Sequence, residues 1–279
     1  MQTVAMRRSP SPAAELSEWH CSGLKSPWHE EHSTHATIEL PLTGMDLREI
    51  RGRQAVVDIG TVAMHAGGEV YAVASPSAQP RRATCLSVPM DVMVDWAPEY
   101  SPGVVHSSAR TACLHRALRR AQRDPEAQQV LICQLLDSVL TDAAHRAGRT
   151  THPRTTPAWR RLANRLGERL ALDFDQPLDL ASLAGDCGVS AFHASRVFTC
   201  VTGVSLHRQL IRLRLRHALL QLPDMRDRLT ELALSLGFCS HSHFSSAFRR
   251  EFGHPPSAWD SPCPQSPPWR CSVEPTGLP

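Results

Sequence analysis

The chain has 279 residues, 42% of them hydrophobic, which is enough for two domains that each bury a core. Thirty Lys and Arg stand against 27 Asp and Glu, and the surplus falls within residues 158–260, where 13 Arg meet 10 acids; this modest basicity fits a phosphate-binding face and many other surfaces. Nine scattered cysteines argue against a secreted disulfide framework, Arg7 and Arg8 lead into no apolar run, and no stretch approaches ~18 apolar residues, so the expectation is a cytoplasmic chain with no membrane partner.

In chain order, residues 1–18 are rich in Ser, Pro and Ala and read as a disordered tail. From Thr37 to Val94, short apolar runs (Ala55 to Ile59, Val70 to Ala74, Cys85 to Val88) alternate with Gly and Pro, the rhythm of short strands and turns. A helix is expected over about Ala109 to Ala121. A second starts at Asp124 and Pro125, with Val130, Leu131, Leu135, Val139 and Leu140 as its apolar stripe. That stripe suits packing on the chain's own strands or on a second subunit. Residues 19–147 therefore form one expected unit of strands followed by helices, residues 148–157 a Thr- and Pro-rich linker, and residues 261–279, with six prolines, a second tail.

His20, Cys21, His29, His32, His35 and Glu39 lie within twenty residues, and such ligands can hold a transition metal. The order His32, His35, Glu39 is similar to the metal motif of cupin enzymes, although two residues separate the histidines where that motif has one. No partner histidine follows downstream. The plain reading is surface or pocket histidines, with no metal, cofactor or catalytic residue assigned; the alternative is a metal-responsive regulator or a cupin-like enzyme using His29, His32, His35 and Glu39.

Residues 158–260 hold an internal repeat. Leu180, Leu183, Ala184 and Gly188 recur 49 positions later as Leu229, Leu232, Ala233 and Gly237; past the glycines the offset becomes 50, matching Ser190, Phe198 and Gly203 to Ser240, Phe248 and Gly253. Each copy reads as helix, tight turn, helix. The glycine supplies a positive φ, and Ser190 or Ser240 caps the second helix. Asp179 can cap the leading helix of the first copy, whereas Arg228 at the matching place cannot. Inward stripes are expected at Ala194, Val197, Phe198 and Val201, and at Phe244, Ala247, Phe248 and Phe252. The opposite faces carry Ala191, Phe192, Ser195, Arg196 and Thr199 in the first copy, and His241, Ser242, Ser245, Ser246 and Arg249 in the second. Helices of this kind fit the major groove, where Arg can bond guanine bidentately; a structural bundle with polar outer faces is the competing reading.

On the segments Pro177 to Ser190, Ser195 to Phe198, Thr202 to Leu222 and Leu229 to Trp259, the sequence resembles the AraC/XylS family of bacterial transcription activators. The resemblance implies an α+β two-domain chain: an N-terminal small β-barrel (cupin-like) with following helices, residues 19–147, as sensor or dimerisation domain, then an all-α DNA-binding domain, residues 158–260, with two helix-turn-helix units. It further implies a connecting helix from Leu206 to Leu220 with Ile211, Leu215 and Leu219 buried, and base-reading positions at Phe192, Ser195, Arg196, His241, Ser242, His243 and Ser246. Implied partners are double-stranded DNA, RNA polymerase, a small-molecule effector and a second subunit. Ser246 stands where the family commonly has arginine, and Asp260 replaces a basic residue, which weakens the expectation of base reading by the second unit.

Overall fold

The computed structural model describes residues 9–10, 14–97, 100–147 and 155–259. Most of the expected N-terminal tail, linker residues 148–154, Asp260 and the tail over 261–279 lie outside them. The expected tail gives way at Glu15, where a strand begins. Its composition masks an alternation in which Ser17 and Cys21 turn inward while Leu16 packs on the core.

Among the described residues, ten strands form two antiparallel sheets. The first runs β1 (Ser9–Pro10), β2 (Glu15–Cys21), β9 (Arg81–Val88), β4 (Ala36–Thr43), β7 (Thr61–His65), β10 (Gly103–His106). The second runs β3 (Ser26–His32), β8 (Val70–Ser75), β5 (Asp46–Ile50), β6 (Arg53–Val57). Among the described residues they share no ladder hydrogen bonds, so the unit is an open, barrel-like sandwich rather than a closed cylinder.

Strand alternation gives the larger sheet two different faces. Ile38, Leu40, Val62, Met64, Leu86 and Val88 point outward, where α1 (Met90–Trp96), α2 (Ala109–Arg120) and α3 (Pro125–Ala147) cover them. The buried stripe of α3 is Ile132, Leu135, Leu136 and Val139, packed on the chain's own sheet; Val130, expected on that stripe, is 56% exposed. The reason is a shift of phase, because Ile132 and Leu136 outcompete Val130 for the sheet.

The facing side is polar. Arg48 Nη2 donates to Glu39 Oε1 at 3.0 Å and Oε2 at 2.8 Å, Arg48 Nε donates to Asp46 Oδ1 at 3.0 Å, and Arg81 Nη1 donates to Asp46 Oδ2 at 2.6 Å. Two cations and two carboxylates thus balance between the sheets, as buried charge requires. Burial pushes the Glu39 carboxyl up, against the pull of Arg48. His65 stacks on Tyr71 at 3.9 Å, and its pKa is lowered to about 3, first by burial and then by Arg48. The space beside this network holds only about 10 Å³, no more than one water.

The C-terminal part is α4 (Pro157–Leu172), α5 (Leu180–Asp186), α6 (Ala191–Thr202), α7 (Leu206–Gln221), α8 (Leu229–Ser235) and α9 (His241–Phe252). It has two cores, and α7 contributes to both. Leu206, Leu210 and Leu213 join α4, α5 and α6 in one; Ile211, Leu215, Ala218 and Leu219 join α8 and α9 in the other. The N-terminal unit reaches into each. Ile59, on the turn after β6, enters the first core, and Cys113 of α2 enters the second. Helix α4 also lies on the outer face of the smaller sheet, where a Cβ on Gly167 would sit 3.5 Å from Val56 and Asn164 Nδ2 donates to the Gln54 carbonyl at 3.1 Å.

Candidate nucleic-acid interface

Side-chain caps and positive-φ glycines shape the turn of each unit. Asp179 accepts from the Ser182 amide at the start of α5, Gly188 has φ +71°, and Ser190 accepts from the His193 amide at the start of α6. In the second unit Gly237 has φ +77° and Ser240 accepts from the His243 amide. Arg228 makes no cap; a 3₁₀ turn over Arg226–Arg228 leads into α8 instead, and the Arg228 guanidinium pairs with Glu231.

The inward stripes fall where the period places them. Ala194, Val197 and Phe198 are buried and Val201 half-buried, and Phe244, Ala247, Phe248 and Phe252 are all buried, the last two closed by Trp259. Outward on α6, Phe192 is 77% exposed and Arg196 and Thr199 are exposed, while Ala191 and Ser195 are half-buried. Outward on α9, His241, Ser242, Ser246 and Arg249 are exposed. His243 is half-buried: its Nδ1 lies 3.3 Å from Cys239 Sγ and its ring meets Phe238 edge-on. Ser245 Oγ lies 3.3 Å from His241 Nε2. Each second helix therefore anchors through an aromatic or aliphatic stripe and offers small, polar and basic side chains to solvent, the composition that enters a major groove.

The relation between the units is set by a group the sequence reading missed. Arg214, on α7, donates from Nε to the Phe174 carbonyl at 2.6 Å, from Nη2 to the Gln176 carbonyl at 2.8 Å, and from Nη1 to the Gly237 carbonyl at 2.6 Å. It thereby ties the loop entering the first unit to the turn of the second. Gly237 admits nothing larger, since a Cβ there would lie 2.7 Å from both Arg214 Nη2 and the Asp175 carbonyl oxygen. A signal was present: in Arg212-Leu-Arg-Leu-Arg216 the arginines step around the helix, so a helix buried on two sides must take one inward. Arg216 is also buried, with Nη2 donating to the Ser107 carbonyl at 3.1 Å and to Glu251 Oε1 at 3.2 Å.

The histidine and carboxylate cluster does not assemble. Glu39 is spent on Arg48 inside the sandwich, while His29, on the edge strand β3, lies 3.3 Å from Glu31 and is exposed, as are His32 and His35. Among the described residues no three His, Cys, Asp or Glu gather closely enough to hold a metal ion. Nor, among them, is any helix long and apolar enough to cross a membrane.

Two capped, glycine-turned pairs with exposed polar second helices define a helix-turn-helix protein of the DNA-binding class. A helix-turn-helix domain model matches residues 183–261. The regulatory protein SoxS of Salmonella typhimurium is 35% identical over 83 residues, 30% of this chain and 78% of that protein. The HTH-type transcriptional regulator GlxA of Rhizobium meliloti is 34% identical over 91 residues, 33% of this chain. The chain spans only 28% of the length of GlxA. Among solved structures, fatty-acid-bound ToxT of Vibrio cholerae is similar with a TM-score of 0.37 at 10% identity, over 90% of this chain and 96% of that one. The chain belongs to the AraC/XylS family of transcriptional regulators.

Proposed function

We propose that the chain is a sequence-specific transcriptional regulator that reads double-stranded DNA with α6 and α9 in neighbouring major-groove segments. The observation that carries this reading is the pairing of two helix-turn-helix units whose second helices both leave a polar face in solvent. Residues 158–260 are the DNA-binding domain and residues 19–147 the sensor or dimerisation domain. Arg196 reads guanine, with Phe192 and Ser195 beside it and Ala191 and Thr199 along the groove wall. On α9, His241, Ser242, His243 and Ser246 face the bases and Arg249 meets phosphate, with His243 the most restrained of them. The protein acts in the cytoplasm without catalysing a reaction. It contacts RNA polymerase as an activator, pairs with a second copy, and answers to a small effector.

The test is Arg196→Ala, assayed on duplexes that the wild-type protein selects from a random pool. The expected cost is about 1–3 kcal/mol on the selected site with preference relaxed at one base pair. Equal weakening on all sequences would reassign Arg196 to phosphate.

A further inference from the structure

The turn from β6 to β7, Asp58-Ile59-Gly60, is where the N-terminal unit enters the first helix-turn-helix unit. Ile59 shares one core with Leu162 and Leu166 of α4, Leu210 and Leu213 of α7, and Val197 and Phe198 of α6. A plug of that kind calls for an apolar turn, yet the residue before it is an aspartate, 4% exposed. Asp58 shapes the turn. Its Oδ1 accepts the Gly60 amide at 2.8 Å, and its backbone carbonyl accepts the Thr61 amide at 2.9 Å and the Thr61 hydroxyl at 2.8 Å. An asparagine would accept the Gly60 amide equally well, so the turn geometry does not require an ionisable group.

Among the described residues no cation pairs with this carboxyl. From α7, Arg212 and Arg216 turn to Glu251 at 3.9 and 3.2 Å. From β10, His106, the cross-strand partner of Thr61, is exposed. From β5, Asp46, opposite Val57, is held by Arg48 and Arg81. From α4, Arg165 and Glu168 face Trp28 and Leu47, and Arg169 pairs with Asp173 at 3.0 Å. Burial therefore dominates and pushes the Asp58 carboxyl up to about 6, with the Gly60 amide pulling it partly back.

The polar group that α7 brings to this turn is Gln209, 5% exposed, whose Oε1 has no hydrogen-bond partner among the described residues. A Cβ on Gly60 would lie 3.2 Å from Asp58 Oδ1, 3.5 Å from a Leu213 methyl and 3.8 Å from Gln209 Nε2, so the carboxyl and the amide converge on one glycine from the two units. An ionised carboxylate offers only acceptors and leaves Gln209 Oε1 unsatisfied, whereas a carboxylic acid supplies the missing donor.

We propose that Asp58 and Gln209 form a proton-operated latch between the N-terminal unit and the first helix-turn-helix unit, closed when the carboxyl takes up a proton and loosened when it ionises. The closed seam binds the proton more tightly than an exposed aspartate of pKa ~3.9 does, so closure gains as pH falls through about 6 and gains nothing more below about 4. From pH 7.5 to pH 5 the ratio of closed to open forms rises about tenfold. The latch does not depend on which bases α6 reads.

Two measurements on the full chain test it. Carbon-13 NMR of the Asp58 carboxyl, assigned by its loss in D58N, should titrate with a midpoint near 6; a midpoint below 5 overturns the proposal. Hydrogen exchange of residues 57–62, corrected for the intrinsic pH dependence of exchange, should show about tenfold more protection at pH 5 than at pH 7.5. Asp58→Asn, neutral throughout, should hold the higher protection at both pH values, and Gln209→Leu should shrink the gain to about threefold or less. Corrected protection that stays level in the wild-type protein, or a gain undiminished in D58N, overturns the latch. A gain undiminished in Q209L overturns the part assigned to Gln209.

Discussion

Replacing Arg214 by methionine keeps most of the stem's volume and removes the guanidinium that three carbonyl oxygens share. Hydrogen bonds to a charged group contribute roughly 1.5–3 kcal/mol each, so the three together bound the gross loss at about 5–9 kcal/mol. Part is returned, because a buried cation no longer has to be desolvated; burial already holds the Arg214 pKa below its ordinary value. The net expectation is a loss of about 3–5 kcal/mol, in line with breaking a buried polar cluster. Arg216 is the internal comparison. It is equally buried, yet its Nε and Nη1 have no hydrogen-bond partner among the described residues, and only Nη2 donates. Arg216→Met should therefore cost about 1 kcal/mol or less, since relief of desolvation offsets the loss. Urea unfolding of the full chain followed by far-UV circular dichroism reads both. A wild-type midpoint for R214M, or an R216M cost as large as that of R214M, would refute the reasoning.

Gly237→Ala forces a side chain into φ +77° and against Arg214 and Asp175, so a loss of about 2–4 kcal/mol is expected, whereas Gly188→Ala, with φ +71° but open space around it, should cost about 1 kcal/mol. Equal urea midpoints for the two variants would show that the close approach is unimportant. His115 is buried with Nε2 2.7 Å from Thr84 Oγ1, and burial, with a smaller push from Arg119, lowers its pKa to about 3. Its folded value lies below the unfolded ~6.5, so the unfolded chain binds the proton first: the contribution is complete above pH 6.5 and lost as pH falls towards 3. His115→Gln should flatten the stability profile by one proton over that window, about 2 kcal/mol at pH 5; a profile parallel to wild type would count against it. Phe192→Ala should leave the unfolding midpoint within about 0.5 kcal/mol of wild type, because the ring is in solvent, yet weaken binding to selected duplexes. Unchanged DNA affinity would remove Phe192 from the reading face.

What the sequence discloses here is what depends on near neighbours along the chain. Asp179, Ser190 and Ser240 cap the residues three positions on, and Gly188 and Gly237 turn the backbone where a positive φ is needed. Stripes such as Phe244, Ala247, Phe248 and Phe252 also follow from period alone. The failures need a partner distant in sequence. Arg214 acquires its role from carbonyls at 174, 176 and 237, and Glu39 leaves its histidine neighbours because alternation along β4 sends it inward to Arg48. Only the Ile211, Leu215 and Leu219 side of α7 was legible; the side with Leu206, Leu210 and Leu213 becomes intelligible once a second core exists to receive it.

Ile59 and Cys113 give the chain a property that a string of separable modules would lack. A C-terminal piece cut loose near residue 155 would carry two bare apolar hollows where those plugs had been, and would be prone to self-association in proportion. Grafting this reading head onto a foreign partner would succeed best if the donor turn and helix travelled with it, or if the host brought plugs of matching shape.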